Sequence, residues 1–162
     1  MAAKIIHFGL DDCYRIPVFR SAGYEVREAH SLEGLCFDLQ RDEDVDAVVL
    51  SEDDVHQAQE VATVLRQRCA VPLILFRRTQ NQIDESQFAR VYSSLTPPAQ
   101  WLLQTAELIA KSRVLQEESV RLRDEADVAI AKSQQERARS RSERAKYEKR
   151  KDPWKLDSGP HD

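Results

Sequence analysis

A chain of 162 residues with 41% apolar content is long enough for one domain with its own core and an appendage. Three cysteines, Cys13, Cys36 and Cys69, form an odd set without CxxC or His-flanked spacing, which suggests neither a disulfide framework nor a zinc site and reads as buried free thiols. The formal charge of −4 conceals a split: residues 132–155 hold ten Lys or Arg against four acids, a net +6, and residues 156–162 add two Asp, which leaves residues 1–131 at −8.

The first apolar run is too short for a signal peptide and no segment reaches the length of a membrane span, so a cytoplasmic protein without membrane contact is expected. Residues 4–8, Lys-Ile-Ile-His-Phe, read as a short strand closed by Gly9. Asp11 and Asp12 stand where a helix cap would, and Tyr14, Val18, Phe19 and Ala22 share a helical face up to the Gly23 stop. Pro17 requires that helix to be short, kinked or late in starting. Residues 24–29 alternate apolar and charged, the pattern of a half-exposed edge strand. Ser31 can cap a second helix that turns Leu32, Leu35, Cys36 and Leu39 inward.

Residues 47–50 are an unbroken apolar run rich in β-branched side chains, followed at once by Ser51-Glu52-Asp53-Asp54. This is the signature of a strand buried on both faces, and in an open parallel α/β sheet ligands gather at that strand's carboxyl end. A helix over residues 55–68 follows, with Val55, Ala58, Ala62 and Leu65 inward. Residues 71–76 form a second fully apolar strand, 77–85 a polar loop, 86–89 at most a short helix, and 90–95 a fifth strand. Thr96-Pro97-Pro98 then breaks the chain before a long helical run opens at Ala99. Five βα repeats over so few residues predict an α/β fold with a doubly wound parallel sheet.

Here the residues carry a resemblance. The opening Lys-Ile-Ile, Ser-Ala-Gly-Tyr-Glu-Val at 21–26, Asp46-Ala-Val-Val-Leu, Val71-Pro-Leu-Ile-Leu and Thr96-Pro97 resemble, in their order and spacing, the receiver domain of bacterial two-component response regulators. The likeness spans about residues 3–112. It implies a flavodoxin-like five-stranded sheet of order 2-1-3-4-5, a phosphorylatable aspartate ending the third strand, an acidic pair binding magnesium after the first, Thr or Ser after the fourth and Lys after the fifth. Every one of those places departs from the family pattern: they hold Ser51, Phe8 and Gly9, Arg77, and Thr96. A serine hydroxyl cannot form an acyl phosphate, and dispersed oxygen ligands make no evident magnesium site, so neither metal nor cofactor is expected. The sequence reads as a degenerate receiver, a pseudo-receiver, that keeps the fold without the chemistry.

Candidate displaced acids are Asp11, Asp12, Asp53 and Asp54, although acids at a helix start usually serve the helix dipole. Arg77 is the leading functional candidate, because its guanidinium could pair with Asp11 or Asp12 and mimic a fixed charge state. His7 could reach the same place, and a satisfied or edge histidine is the simpler reading.

The carboxyl-terminal third contains neither Gly nor Pro over residues 99–147, which permits one helix of about 50 residues, ~75 Å at 1.5 Å per residue. Trp101, Leu108, Leu115, Leu122 and Ala129 recur every seven residues, but Thr105, Ser112, Ser119 and Ala126 make the companion row small and mostly polar, a half-made coiled-coil seam. The expected organisation is a receiver-like domain over 1–112, an extended charged helix over 113–150 and a disordered tail over 151–162.

No nucleophile elbow, phosphate loop or paired catalytic carboxylates occur, so the chain reads as a non-enzymatic signalling adaptor. It acts by protein–protein interaction through the helix 4/strand 5/helix 5 face and the C-terminal helix, with a parallel homodimer as the expected assembly. One alternative is a nucleic-acid-associated adaptor, binding weakly and non-specifically through residues 132–155. Another is an atypical phosphorylatable receiver.

Overall fold

The computed structural model describes residues 2–41, 44–52, 55–78 and 83–151. Five parallel strands form one sheet: β1 (Lys4–Phe8), β2 (Glu25–Ala29), β3 (Ala47–Ser51), β4 (Leu73–Arg77) and β5 (Arg90–Ser93), in the order β2-β1-β3-β4-β5. Four α-helices accompany them: α1 (Arg15–Ser21), α2 (Leu32–Arg41), α3 (Val55–Arg68) and α4 (Pro98–Lys151). This is the doubly wound five-stranded arrangement that the βα repeat predicts.

The two apolar cores follow from the period of two along each strand. Ile6, Phe8, Val48, Leu50, Leu73 and Leu75 face α2 and α3, where Leu35, Val61, Ala62 and Leu65 meet them. The alternate residues Ile5, Val49, Ile74, Phe76 and Tyr92 face Ile16 and Phe19 of α1 and Trp101 and Ile109 of α4. The three inner strands are apolar on both faces because both faces are covered. Strand β2 sits at an edge, where Val26 is buried in one core and Ala29 in the other while Glu25, Arg27 and Glu28 stay exposed.

Pro17 is accommodated because α1 starts at Arg15, which puts the proline in the first turn, where its missing N–H has no intrahelical acceptor to lose. Between β4 and β5 the described residues hold a single 3-10 turn, Glu85–Gln87, and no α-helix. A side-chain cap from Asp84 to the Ser86 amide starts it at 3.1 Å, and by Ala89 the chain is already bonded to Leu73 O of the sheet, so no second turn fits. Among the described residues, the interaction face expected to include a fourth helix therefore has this turn in its place. The thiols also differ from expectation: Cys13 is exposed and Cys36 and Cys69 are half-buried.

The chain divides into two units, Met1–Gln116 and Glu117–Asp162. In the first, α4 opens with Pro98, favoured at the first helical position, and seats Trp101, Thr105 and Ile109 against the sheet at spacings of four. This corrects the expected seam: Trp101 is 4% exposed and belongs to the domain core, and Leu108 packs against that core. Leu115 and Leu122, at 56% and 53%, are exposed, as is Ala129. In the second unit, residues 117–151 are helical and every described side chain is exposed. Residues 152–162, expected to be disordered, lie outside the described part. No helix among the described residues is long and apolar enough to cross a membrane.

At the amino-terminal edge of the sheet, Asp46 takes both Arg113 Nε and Nη2, at 2.6 and 2.7 Å, and the Lys4 amide at 2.8 Å. Burial by itself raises the Asp46 carboxyl, but the Arg113 and Lys4 hydrogen bonds and their positive charges outweigh it and hold the group below its ordinary value. A carboxyl with a depressed native pKa contributes stability that is fully present above its unfolded value, about 3.9, and is lost as pH falls through the native one. Arg113→Ala is therefore expected to cost about 1 kcal/mol at pH 7, the low end for a charged hydrogen bond because Arg113 is partly exposed. The gap to wild type in urea unfolding should narrow below about pH 4. An unchanged gap at pH 3 would show that Arg113 acts by packing alone.

Candidate functional site

The carboxyl edge of the sheet, between β1 and β3, is the point where the strand order reverses and where open α/β sheets hold ligands. Ser51 ends β3 there, 6% exposed, opposite Phe76 in the β3–β4 register. On the neighbouring strand His7 pairs with Val49, so His7 and Ser51 point to the same face from adjacent strands. Ser51 Oγ lies 3.0 Å from His7 Nε2, and His7 is fully buried. The edge-histidine reading fails, since β1 is flanked by β2 and β3.

The third member comes from α1. Arg15, 5% exposed, donates from Nη1 to Ser51 Oγ at 3.3 Å and lays its guanidinium over the Phe76 ring, 4.4 Å from the centroid. Local sequence places it there. Tyr14 adopts a left-handed conformation, φ 53°, and turns the chain back. Both oxygens of Asp11 then accept from the first helical amides, Arg15 N and Ile16 N, each at 2.8 Å. Burial lowers the Arg15 pKa from its ordinary value, while Cys13, Asp11 and Asp12 raise it; a guanidinium so far above neutrality stays charged at pH 7. Its Nη2 is buried without an acceptor among the described residues, a cost that the ring face partly offsets.

The acids of this edge are committed elsewhere. Asp11 caps α1, Asp12 pairs with Arg78, and the buried Glu52 accepts from Arg78 N at 2.7 Å. Asp53 and Asp54 lie outside the described residues. Of the other singled-out positions, Phe8 closes β1 inside the core, Gly9 follows it with φ 96°, and Thr96 is half-buried with its Oγ1 3.2 Å from Ser93 Oγ. No carboxylate among the described residues bonds Ser51 Oγ, which is met by the Arg15 guanidinium and by His7 Nε2. Among the described residues no cluster of three His, Cys, Asp or Glu could hold a metal ion, and a fixed positive charge against Ser51 repels a divalent cation. The magnesium implied by the resemblance does not fit the described residues around Ser51.

The expectation for Arg77 is corrected by one residue. Arg77 pairs with Glu85 at 2.9 Å, and Arg78 is the side chain that reaches Asp12. Successive strand residues point to opposite faces, so Phe76 and Arg78 turn toward α1 while Arg77 turns away. Arg15 is the site residue that sequence reasoning missed. Its signal was an arginine four residues before Phe19, on the inward face of a short amphipathic helix.

No protein-family model matches the chain, and no curated protein matches it. Solved structures do. The receiver domain of the TMAO respiratory system response regulator TorR is similar at 18% identity and TM-score 0.58, over 67% of this chain and 98% of its own. The chemotaxis response regulator CheY4 of Vibrio cholerae is similar at 14% identity and TM-score 0.54, over 67% and 99%. A structure described as adenylate cyclase from Rhodopirellula baltica is similar at 12% identity and TM-score 0.64, over 76% and 98%. The fold is that of response-regulator receiver domains, flavodoxin-like with strand order 2-1-3-4-5, and at these identities the likeness is one of fold.

Proposed function

We propose that this protein is a receiver-like signalling module that works without phosphorylation, as an interaction partner rather than an enzyme, through β5, α4 and the exposed helical segment beyond residue 113. The observation that carries this reading is the Arg15 guanidinium seated on Ser51 and stacked on Phe76. In a phosphorylatable receiver this place needs a carboxylate nucleophile and a divalent cation. Here it has a hydroxyl and a built-in monovalent cation, so the position is held in one charge state whatever the phosphate donor. The degenerate positions Phe8, Gly9, Ser51, Arg77 and Thr96 then serve packing and local structure.

Incubation with acetyl phosphate and magnesium is the test. Intact-mass measurement should show no added ~80 Da, the mass of one phosphoryl group. A stoichiometric, base-labile adduct would sink the reading and direct attention to Asp53 and Asp54. A second reading, association with nucleic acid, is supported by the uniform exposure of the basic stretch 132–148. That stretch offers phosphate neutralisation with a single aromatic, Tyr147, for base stacking, which favours weak and sequence-indifferent contact.

A further inference from the structure

We infer that the exposed helix pairs with a second copy of this chain in antiparallel orientation, an inference that rests on the interaction reading above and specifies its geometry. The reason lies in how charge is distributed along α4. Residues 117–131 carry five acids against two bases, a net −3, and residues 132–148 carry six bases against three acids, a net +3. All of these side chains are exposed. A helix with an acidic first half and a basic second half is complementary to itself only when reversed.

The heptad rows sharpen this. Leu122, Ala129, Glu136 and Glu143 form one row of the seam and Ser119, Ala126, Ser133 and Ser140 the other. In a parallel pair, Glu136 and Glu143 would each face their own copy. The flanking rows would also set Lys132 against Arg137 and Arg139 against Arg144 of the second copy, with Glu118 against Arg123 as the favourable exception. Reversal with residues 127 and 128 at the two-fold removes these conflicts. Glu118 then meets Arg139 of the second copy, Glu125 meets Lys132, and the symmetry makes each pair twice. Within one chain Arg121 lies 3.9 Å from Glu118 and 3.6 Å from Glu125, and Arg139 lies 3.3 Å from Glu143. Such exposed intrahelical pairs contribute little and can be shared or exchanged on docking. The small side chains of the seam keep the apolar contribution modest, so charge sets the orientation.

The two orientations predict opposite signs in one experiment. Sedimentation equilibrium of the full chain in about 0.05 M and 0.5 M salt should show the dimer weakening roughly tenfold as salt screens the cross-helix attraction. The double variant Lys132→Glu plus Arg139→Glu should weaken it at least as much at low salt, and adding Glu118→Lys plus Glu125→Lys to that variant should restore it. Circular dichroism establishes that helicity is kept in each. A dimer that tightens with salt, or tightens in the double variant, would overturn the antiparallel assignment and leave self-association standing. A chain that is monomeric at every salt concentration would overturn both.

Discussion

Replacing Trp101 by alanine is expected to lower the stability of the domain by about 3–5 kcal/mol, a large part of the 5–15 kcal/mol typical of a domain. Trp101 is 4% exposed, and its ring lies 4.7 Å from the Phe19 centroid and 5.4 Å from that of Phe76. Phe19 in turn meets Tyr24 at 5.3 Å, and Phe76 meets Tyr92 at 5.2 Å. One indole therefore joins α1, β4 and the first turns of α4, and removing it leaves a cavity whose walls belong to three elements and cannot all close in. Leu103→Ala, on the same helix but 62% exposed, should change stability by less than about 0.5 kcal/mol. Urea unfolding of the two variants beside wild type makes the comparison. A Trp101→Ala loss below about 1 kcal/mol would mean that the aromatic cluster does not seat the helix.

The double substitution Leu115→Glu plus Leu122→Glu is expected to abolish self-association while leaving the domain folded. Both leucines are more than half exposed, so the folded chain loses little, whereas burial of each in a helix pair is worth roughly 1.5–3 kcal/mol. In the reversed register Leu115 faces Ser140 and Leu122 faces Ser133 of the second copy, small polar partners that place wild-type self-association near micromolar, about −8 kcal/mol. Light scattering over a concentration series should show monomer giving way to dimer in wild type and monomer throughout in the variant. Wild type that stays monomeric at several hundred micromolar would assign the exposed leucines to a different protein's helix.

Much of the fold was legible because local signals and burial agree. Ala47–Leu50 reads as a doubly buried strand from its unbroken apolar run, and it is the strand with every residue buried. The charged residues interleaved along β2 announce its edge position. Where the local signal and the tertiary context diverge, the sequence misleads. The seven-residue recurrence of Trp101 and Leu108 looked continuous with Leu115 and Leu122, yet the same recurrence serves two purposes along one helix, packing on the sheet at its root and presenting leucines to solvent beyond. Periodicity reports which face is apolar and not what covers it.

The site divides in the same way. The sequence by itself determined which residue types stand at these strand ends, Ser51 at the end of β3 and Thr96 after β5, and no folding changes a hydroxyl into a carboxylate. It also determined the charge division along α4, which depends only on order along the chain. The tertiary structure alone decided what meets Ser51. That Arg15 rather than Arg77 stands on Ser51, that Arg78 rather than Arg77 holds Asp12, and that His7 is fully enclosed are consequences of strand register and helix start. A shift of one residue along a strand reverses the face of its side chain, and a helix starting at Arg15 rather than at Asp12 turns a different residue inward; neither is fixed until the strands have paired and α1 has docked on Phe76.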